Sequence, residues 1–465
     1  MEQRSAKQLE QLLYHNESVA DQAPDSLAAA ETFCEGYKAF LDASKTEREA
    51  CHVSEKMLVE AGYQPFVAGM ELKAGDKIYF VNRAKSIVAA TIGTKSMEEG
   101  FHLNIAHIDA PRIDLPPVPL YEKNGVAYFH THYYGGIRKY QWPTIPLAIH
   151  GIVYRADGSS VEIAIGEKES DPVFCITDLL PHLGAKQNQK SLSEGISAEN
   201  LNVVLGTLPV TDKDAENRIK ANILCLLNEM YGTTEADFVR AELEVVPAFK
   251  TRDVGLDRSL LGGYGHDDRV NAYPALIAEI ETKNPAFTTV CVLTDKEEVG
   301  SDGVTGLSSM YTFHFLQQLC AAQGADYIKA CKASKCLSAD VAAAYDPSFA
   351  DAFEPDNSAY AGHGIAVYKY TGSRGKSGTN DAPAELVNYL TGLLEKNGIV
   401  WQIGELGKTD LGGGGTIAKY VANQDIDTID IGVPVLAMHA PFELVAKTDV
   451  YMAYRTFKAF CEAEV

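Results

Sequence analysis

The chain has 465 residues, and its 41 Lys and Arg residues against 63 Asp and Glu residues give a formal net charge of −22. Nucleic-acid binding needs a basic face, and no block of Lys or Arg occurs, so the sequence argues against a nucleic-acid partner. An anionic membrane surface is disfavoured for the same reason. The proportions of 46% hydrophobic and 22% charged residues are typical of a globular protein with roughly two or three domains.

The amino terminus and the cysteines predict a cytoplasmic protein. The first residues lack the basic start, the continuous apolar stretch and the small-residue cleavage site of a signal peptide. The nine cysteines are scattered and lie mostly in apolar stretches, as expected of buried thiols in a reducing compartment. No apolar run approaches the roughly 18 residues of a membrane span, so we expect no membrane partner.

Three strand-like segments come first in chain order, KIYFVNRA, SIVAATIG and LNIAH, and the third ends at His107. A proline-rich stretch over 111–119 follows, and it predicts a linker because proline is excluded from the interior of sheets and helices. Residues from about 120 to 245 then alternate short apolar segments with turns. This change in character indicates that a second region begins there.

From about residue 248 the pattern becomes strand followed by helix. Residues 272–280 and 310–323 are helical in pattern, and Thr288 to Thr294 form a β-rich run between them. Such alternation predicts an α/β domain with a mostly parallel sheet. The simplest architecture is one α/β domain formed by residues 1–112 and 248–465, with a smaller domain inserted at 113–247.

Histidines and carboxylates recur at the ends of the predicted strands. In open α/β sheets, ligands bind outside the carboxyl ends of the strands, so acidic residues there favour a functional site. The set combines nitrogen and oxygen ligands without sulfur, which suits Zn²⁺, Mn²⁺ or Co²⁺, and a two-metal hydrolase would explain the surplus of carboxylates. Its members are His107, Asp109, Asp267, Glu297, Glu298, Asp340 and His439.

Other catalytic patterns are weak or absent. The Gly-Lys-Thr run at 407–409 lacks the first glycine of a phosphate-binding loop, and no GxSxG nucleophile motif occurs. The glycine run at 412–415 is compatible either with close approach of the backbone to a substrate or with a flexible turn. A covalent nucleophile is therefore not favoured.

Seven motifs, taken in order, resemble the aspartyl aminopeptidase family of dinuclear zinc peptidases over almost the whole chain. They are AHIDAPRID, HYYGGIRKYQW, HDDRVNAYPAL, DKEEVGS, LSADV, LGGGGTIA and MHAPFELV. The resemblance implies a three-layer α/β/α catalytic domain interrupted by a β-rich dimerisation domain. It also implies two divalent ions, with zinc first and cobalt or manganese as alternatives, and a homo-oligomer, often a tetrahedral dodecamer.

The resemblance also assigns roles to individual residues. His107 and Asp340 would hold one ion, Glu298 and His439 the other, Asp267 would bridge them, and the Asp267–Asp268 peptide would be cis. Glu297 would be the general base, and Asp109 would orient His107. Substrate binding would involve His182 from a neighbouring subunit, together with Arg374 and the nearby Lys376.

The function implied is metal-dependent removal of N-terminal residues from peptides by a metal-bridging water, with a glutamate as general base. Preference for acidic N-terminal residues does not follow directly, because Ala343 and Asp346 stand in a stretch where relatives commonly carry histidines. Two alternatives remain: a two-metal amidase or deacylase acting on a non-peptide substrate, and a non-catalytic assembly protein that retains the fold.

Overall fold

The computed structural model of the protein describes residues 8, 9 and 12–464. The helices are α1 (Val19–Gln22), α2 (Ser26–Ala43), α3 (Glu47–Glu60), α4 (Arg218–Tyr231), α5 (His266–Glu281), α6 (Tyr311–Ala322), α7 (Tyr327–Ala333), α8 (Ala384–Lys396), α9 (Ala418–Ala422) and α10 (Lys447–Cys461). Short 3₁₀ helices cover Met97–Glu99, Lys139–Gln141, Ala198–Asn200, Glu235–Arg240, Glu297–Val299, Pro347–Ala352 and Pro355–Asn357. Among the described residues, none of these helices combines the length and the apolar character needed to span a membrane.

The strands of the first half are β1 (Gln64–Pro65), β2 (Lys77–Asn82), β3 (Ser86–Thr91), β4 (Phe101–His107), β5 (Arg112–Asp114), β6 (Leu120–Lys123), β7 (Val126–Phe129), β8 (His132–Tyr134), β9 (Leu147–Tyr154), β10 (Ser160–Ile165), β11 (Cys175–Ile176), β12 (Val203–Gly206) and β13 (Ala241–Pro247). Those of the second half are β14 (Arg252–Val254), β15 (Leu260–Gly263), β16 (Thr288–Thr294), β17 (Lys335–Ala339), β18 (Ala342–Ala343), β19 (Ile365–Tyr368), β20 (Gly372–Ser373), β21 (Trp401–Ile403), β22 (Gly413–Gly414), β23 (Asp427–Gly432), β24 (Pro434–Leu436) and β25 (Glu443–Ala446).

A nine-stranded sheet forms the centre of the fold, in the order β1-β2-β3-β16-β4-β17-β23-β19-β21. The four central strands β16, β4, β17 and β23 are parallel to one another. Every residue of β4 and β16 is buried, as expected when helices cover both faces of a parallel sheet. This arrangement confirms the predicted α/β class with a mostly parallel sheet.

Helices cover the two faces of this sheet and make the fold three-layered. In β16, Cys291 and Leu293 point into a core shared with α2, α3, α5, α8 and α10. Val290 and Val292 alternate with them and point into a second core, shared with α6, α7 and α9. The period of two along the strand therefore divides its apolar side chains between the layers.

A separate set of strands lies between residues 112 and 247. Strands β10-β9-β13-β5-β8 form one sheet and β11-β12-β7-β6 another, and the third hydrophobic core lies mainly within this region. The predicted proline-rich linker contains the short strand β5, because its residues lie between Pro111 and Pro116 and pair with β13 and β8. The domain boundaries at 112/113 and 247/248 stay predictions.

The predicted elements agree with the structure at several points. The β-rich run Thr288–Thr294 is β16, and the helix predicted over 310–323 is α6. Helix α5 begins at His266, earlier than predicted, but the backbone angles of Asp267 and Asp268 are not helical, so its start is kinked. The nine cysteines are free, with seven buried, Cys175 half-buried and Cys225 exposed.

Candidate metal centre

Parallel alignment brings the carboxyl ends of three central strands to one edge of the sheet. His107, the last residue of β4, is in register with Thr294, the last residue of β16. Strand β17 pairs in parallel with β4 on its other side and ends at Ala339, so that Asp340 follows directly. Side chains far apart in sequence therefore emerge at a common edge, where α/β proteins bind ligands.

A smaller sheet supplies the remaining members of the set. Its strands are β14-β15-β25-β24-β18, and β18 begins two residues after Asp340. Strand β15 leads into the first turn of α5, which carries Asp267, and His439 lies in the connection between β24 and β25. The Asp267–Asp268 peptide bond is cis, as the family resemblance implies.

Asp267 lies between the two histidines. Its Oδ1 is 3.2 Å from His107 Nε2, and its Oδ2 is 3.2 Å from His439 Nε2. A second carboxylate approaches each histidine: Asp340 Oδ1 lies 3.8 Å from His107 Nε2, and Glu298 Oε2 lies 3.7 Å from His439 Nε2. The arrangement is two histidine–carboxylate pairs that share one aspartate.

The donor atoms fit divalent cations. Atoms of His107, Glu297 and Asp340 lie within 4.8 Å of one another, and so do atoms of His107, Asp267 and Glu298. Buried polar atoms are rarely left without a partner, yet His107 Nε2, Asp267 Oδ1 and Glu298 Oε1 accept or donate no hydrogen bond. An imidazole and carboxylate set without sulfur is suited to Zn²⁺, and also to Co²⁺ or Mn²⁺.

Both histidines are oriented by backbone carbonyl groups. His107 Nδ1 lies 3.0 Å from the carbonyl oxygen of Asp109, and His439 Nδ1 lies 3.0 Å from that of Gly136. A carbonyl oxygen only accepts hydrogen bonds, so each Nδ1 carries a proton and donates. Each Nε2 then faces the carboxylates, which is the orientation that a metal-binding histidine needs.

Asp109 connects His107 to the turn that carries the paired glutamates. Its Oδ1 lies 3.2 Å from His107 Nδ1 and accepts a hydrogen bond from the backbone N–H of Glu297. Its Oδ2 accepts from the backbone N–H of Glu298 and, at 2.7 Å, from the hydroxyl of Tyr134. The carboxylate of Asp109 is buried, and it fixes two neighbouring parts of the site at once.

A short 3₁₀ helix separates the side chains of the two adjacent glutamates. In an extended backbone these side chains would point in opposite directions, but Glu297–Val299 is a 3₁₀ helix. With three residues per turn, consecutive side chains in such a helix point about 120° apart. Glu298 accordingly faces His439, while Glu297 lies beside His107 and Asp340.

The ionisation of the site reflects an excess of buried negative charge. Burial, followed by the charges of Asp340 and Asp109, raises the pKa of Glu297 to about 8. Burial and the charge of Asp267 raise the pKa of Glu298 well above its usual value. Burial alone would lower the pKa of His439, but contact with Asp267 and the charge of Glu298 raise it to about 11. Positive charge at the centre would relieve this repulsion between carboxylates.

Two further acidic residues support the site and were not predicted from the sequence. Glu443 accepts from the backbone N–H of His439 at 2.7 Å and from that of Asp267 at 3.1 Å. Asp268 accepts from the backbone N–H of His107 at 3.3 Å and also bonds Asn271. Glu443 lies in the MHAPFELV motif and Asp268 follows Asp267, but spacing alone does not reveal that either carboxylate binds backbone N–H groups.

A cavity of about 460 Å³ opens beside the centre. The candidate ligands Asp267, Glu298, Asp340 and His439 line it together with Glu297. The lining also includes the glycine run at 412–415, which was predicted either to approach a substrate or to form a flexible turn. Its place in the wall agrees with the first of these interpretations.

The predicted substrate-binding residues lie in different places. Arg374 and Lys376 both line the cavity and are exposed. Lys376 Nζ lies 2.9 Å from Asp381 Oδ2 and 3.8 Å from the centre of the Tyr370 ring, so its charge is already engaged. His182 is exposed in the segment between β11 and β12 and does not line the cavity of its own chain.

Comparisons with known proteins agree with this geometry. Residues 40–461 match the model of the aminopeptidase I zinc metalloprotease (M18) family. A probable M18 family aminopeptidase 1 from Clostridium acetobutylicum is 46% identical over 434 residues, covering 91% of this chain and 93% of that protein. The crystal structure of an M18 aminopeptidase from Thermotoga maritima has a TM-score of 0.93 at 42% identity, covering 97% of this chain and all of that chain.

The fold extends to a more distant structure, the S. cerevisiae mApe1 dodecamer. Its TM-score is 0.74 at 20% identity, and the match covers 94% of this chain and 97% of that chain. The predictions of an aminopeptidase-type zinc hydrolase and of its fold are confirmed by the family match and by the Thermotoga structure. The chain belongs to the M18 family of zinc metalloaminopeptidases.

Proposed function

We propose that the protein removes N-terminal residues from peptides at a centre of two divalent ions, with zinc as the first choice. The observation that carries the proposal is the position of Asp267, whose two carboxylate oxygens each lie 3.2 Å from a different histidine. A carboxylate so placed is suited to bridging two ions. The three buried donor atoms that lack hydrogen bonds support the same assignment.

The remaining ligands follow from the pairs around Asp267. His107 with Asp340 would hold one ion, and His439 with Glu298 would hold the other. When bound, the two ions supply Lewis acidity that activates a water molecule and polarises the scissile carbonyl group. The backbone carbonyls of Asp109 and Gly136 keep the two imidazole rings in the ligating orientation.

Glu297 is the residue we propose as general base. Asp109 accepts a hydrogen bond from the backbone N–H of Glu297. The carboxylate of Glu297 lies beside His107 and Asp340 in the lining of the cavity. From this position Glu297 would take a proton from the attacking water and deliver it to the leaving amine. Asp109 would keep both Glu297 and His107 in place through the contacts already described. The free α-amine of the substrate would anchor at the centre, which limits cleavage to the first peptide bond.

For the first residue of the substrate, we propose that neutral side chains are preferred over acidic ones. Lys376 is paired with Asp381, which leaves Arg374 and Lys408 to attract a carboxylate, both from exposed positions. Two further acids, Glu405 and the buried Asp430, line the same cavity. Buried charges are screened by water much less than exposed ones, so the negative charge of these acids would oppose a substrate carboxylate deeper in the cavity.

For the assembly, we propose a cytoplasmic homo-oligomer, with a tetrahedral dodecamer as the specific form. The mApe1 structure of the same fold is a dodecamer. In such an assembly His182, which is exposed outside its own cavity, would complete the site of a neighbouring subunit. Nine free cysteines are compatible with a reducing compartment.

One experiment separates this function from its alternatives. Purified zinc-loaded protein is incubated with leucyl peptides that carry either a free or an acetylated α-amine, and release of leucine or acetyl-leucine is measured. We expect cleavage of the free peptide only. Equal cleavage of both would favour the amidase or deacylase, and absence of cleavage with two bound zinc ions would favour the non-catalytic assembly protein.

A further inference from the structure

Three consecutive residues at the end of strand β8 lie against three different parts of the metal centre. Strand β8 is the edge strand of the sheet β10-β9-β13-β5-β8, and Tyr134 is its last residue. Gly135 and Gly136 follow, and we call these three residues the Tyr134–Gly136 segment. The segment begins in this sheet, which lies outside the nine-stranded sheet where His107 ends β4 and Asp340 directly follows β17.

Tyr134 reaches the centre through Asp109. Its buried hydroxyl donates to Asp109 Oδ2 at 2.7 Å, the shortest of the hydrogen bonds that this carboxylate accepts. The ring is held in place by the guanidinium of Arg112, which lies 3.9 Å from its centre. Asp109 also contacts His107 and the backbone of Glu297. The hydrogen bond from Tyr134 therefore helps to fix the positions of both residues.

The two glycines contact the other half of the centre. The carbonyl oxygen of Gly136 accepts from His439 Nδ1 at 3.0 Å, and a Cβ on this glycine would lie 3.1 Å from the same nitrogen. A Cβ on Gly135 would lie 3.2 Å from Glu298 Oε2. Gly135 also has a φ of 73°, which favours glycine. Both positions therefore allow a close approach that a larger residue would disturb.

We propose that Tyr134 is a positioning residue for the metal centre and that the Tyr134–Gly136 segment makes its sheet an integral part of the site. The inference rests on the proposed two-metal function. The hydroxyl of Tyr134 fixes Asp109, and Asp109 fixes His107 and Glu297. Gly136 fixes His439. Loss of the hydroxyl loosens one ligand and the base, and so lowers both metal affinity and the rate of the chemical step.

The test compares Tyr134→Phe with Tyr133→Phe in the full-length protein. Phenylalanine keeps the ring against Arg112 and removes only the hydroxyl, whereas Tyr133 is exposed on the other side of the strand and serves as the matched control. The dissociation constant for Zn²⁺ is measured by competition with a chelator, alongside kcat, KM and the melting temperature of the metal-free protein.

For Tyr134→Phe we expect about tenfold weaker zinc binding and a similar loss of kcat, with KM and the metal-free melting temperature close to those of the control. Zinc affinity and kcat equal to those of Tyr133→Phe would overturn the proposal. Loss of folding is recognised by the melting temperature. In that case Gly136→Ala, with Gly392→Ala on α8 as its control, provides the second comparison, because a Cβ on Gly392 meets no atom within 4 Å.

The absorption spectrum of the Co²⁺-loaded Gly136→Ala protein should differ from that of the Gly392→Ala protein, since the alanine displaces His439. Identical spectra would overturn the proposal for this half of the segment. Failure of the two-metal function itself gives a different result: the wild-type protein then binds fewer than two Zn²⁺ ions per chain before any substitution is made.

Discussion

The backbone N–H of Glu297 donates a hydrogen bond to Oδ1 of Asp109 at 3.2 Å, although 188 residues separate the two in the sequence. The same oxygen lies 3.2 Å from Nδ1 of His107. One buried carboxylate thus sets the spacing between the proposed base and a proposed ligand. Adjacent parallel strands make this possible, because the ends of β4 and β16 are in register.

Replacement of Asp267 by asparagine should reduce the metal content of the protein. The amide keeps the shape of the side chain, but it supplies one ligating oxygen where the carboxylate supplies two, and it carries no charge to offset the cations. We expect fewer than two zinc ions per chain and a loss of at least roughly 100-fold in kcat/KM. Elemental analysis after gel filtration measures the metal, and retention of two ions would contradict the bridging role.

The first residue of the substrate is tested with aminoacyl amides that differ only in that residue. We expect the leucyl amide to be cleaved with a higher kcat/KM than the aspartyl amide, because Glu405 and Asp430 line the cavity. Arg374→Ala should lower kcat/KM further for the aspartyl amide, by about tenfold, and leave the leucyl amide within about twofold. Faster cleavage of the aspartyl amide by the wild-type protein would contradict the proposed preference.

The folded protein should become less stable at alkaline pH as His150, which lies away from the metal centre, loses its proton. Its Nδ1 lies 2.7 Å from Glu49 Oε1 and its Nε2 lies 3.0 Å from Glu167 Oε1, and Lys45 and Lys250 also pair with Glu167. Burial alone would lower the pKa of His150, but the two carboxylates raise it to about 9 from an ordinary value of 6.5. The protonated ring therefore stabilises the fold.

The pKa of His150 is higher in the folded protein than in the unfolded chain. This stabilisation is therefore complete below about pH 6.5 and is lost as the pH rises through about 9. Its size is about 1–3 kcal/mol. We expect His150→Gln to lower the melting temperature at pH 6.5, with the difference from wild type closing by pH 9.5. His132→Gln, at an exposed position, is the control. A difference that stays constant with pH would contradict the assignment.

Much of this organisation could be predicted from the sequence because it depends on strand ends. The apolar runs before His107, Asp340 and the glutamate pair identify buried strands, and parallel strands bring their carboxyl ends together. The helical patterns at 272–280 and 310–323 are likewise confirmed, by α5 and α6.

The supporting contacts could not be predicted in the same way. Tyr134 acts through one hydrogen bond to Asp109, and Glu443 accepts from the backbone N–H of Asp267 across 176 residues of sequence. A linear pattern carries no information on such pairings. The sheet formed by β14, β15, β18, β24 and β25 was also missed, because its strands of two to four residues are too short to show a period. The ion pair between Lys376 and Asp381 likewise depends on the conformation of the loop that joins them.

The most direct test of the account is the activity of Glu297→Gln at known metal content. Glutamine occupies the same space but does not accept a proton, so we expect two zinc ions per chain and a fall in kcat of at least roughly 100-fold on a leucyl peptide with a free amine. Wild-type turnover by a variant that holds both ions would contradict the central claim that Glu297 is the base of a two-metal aminopeptidase.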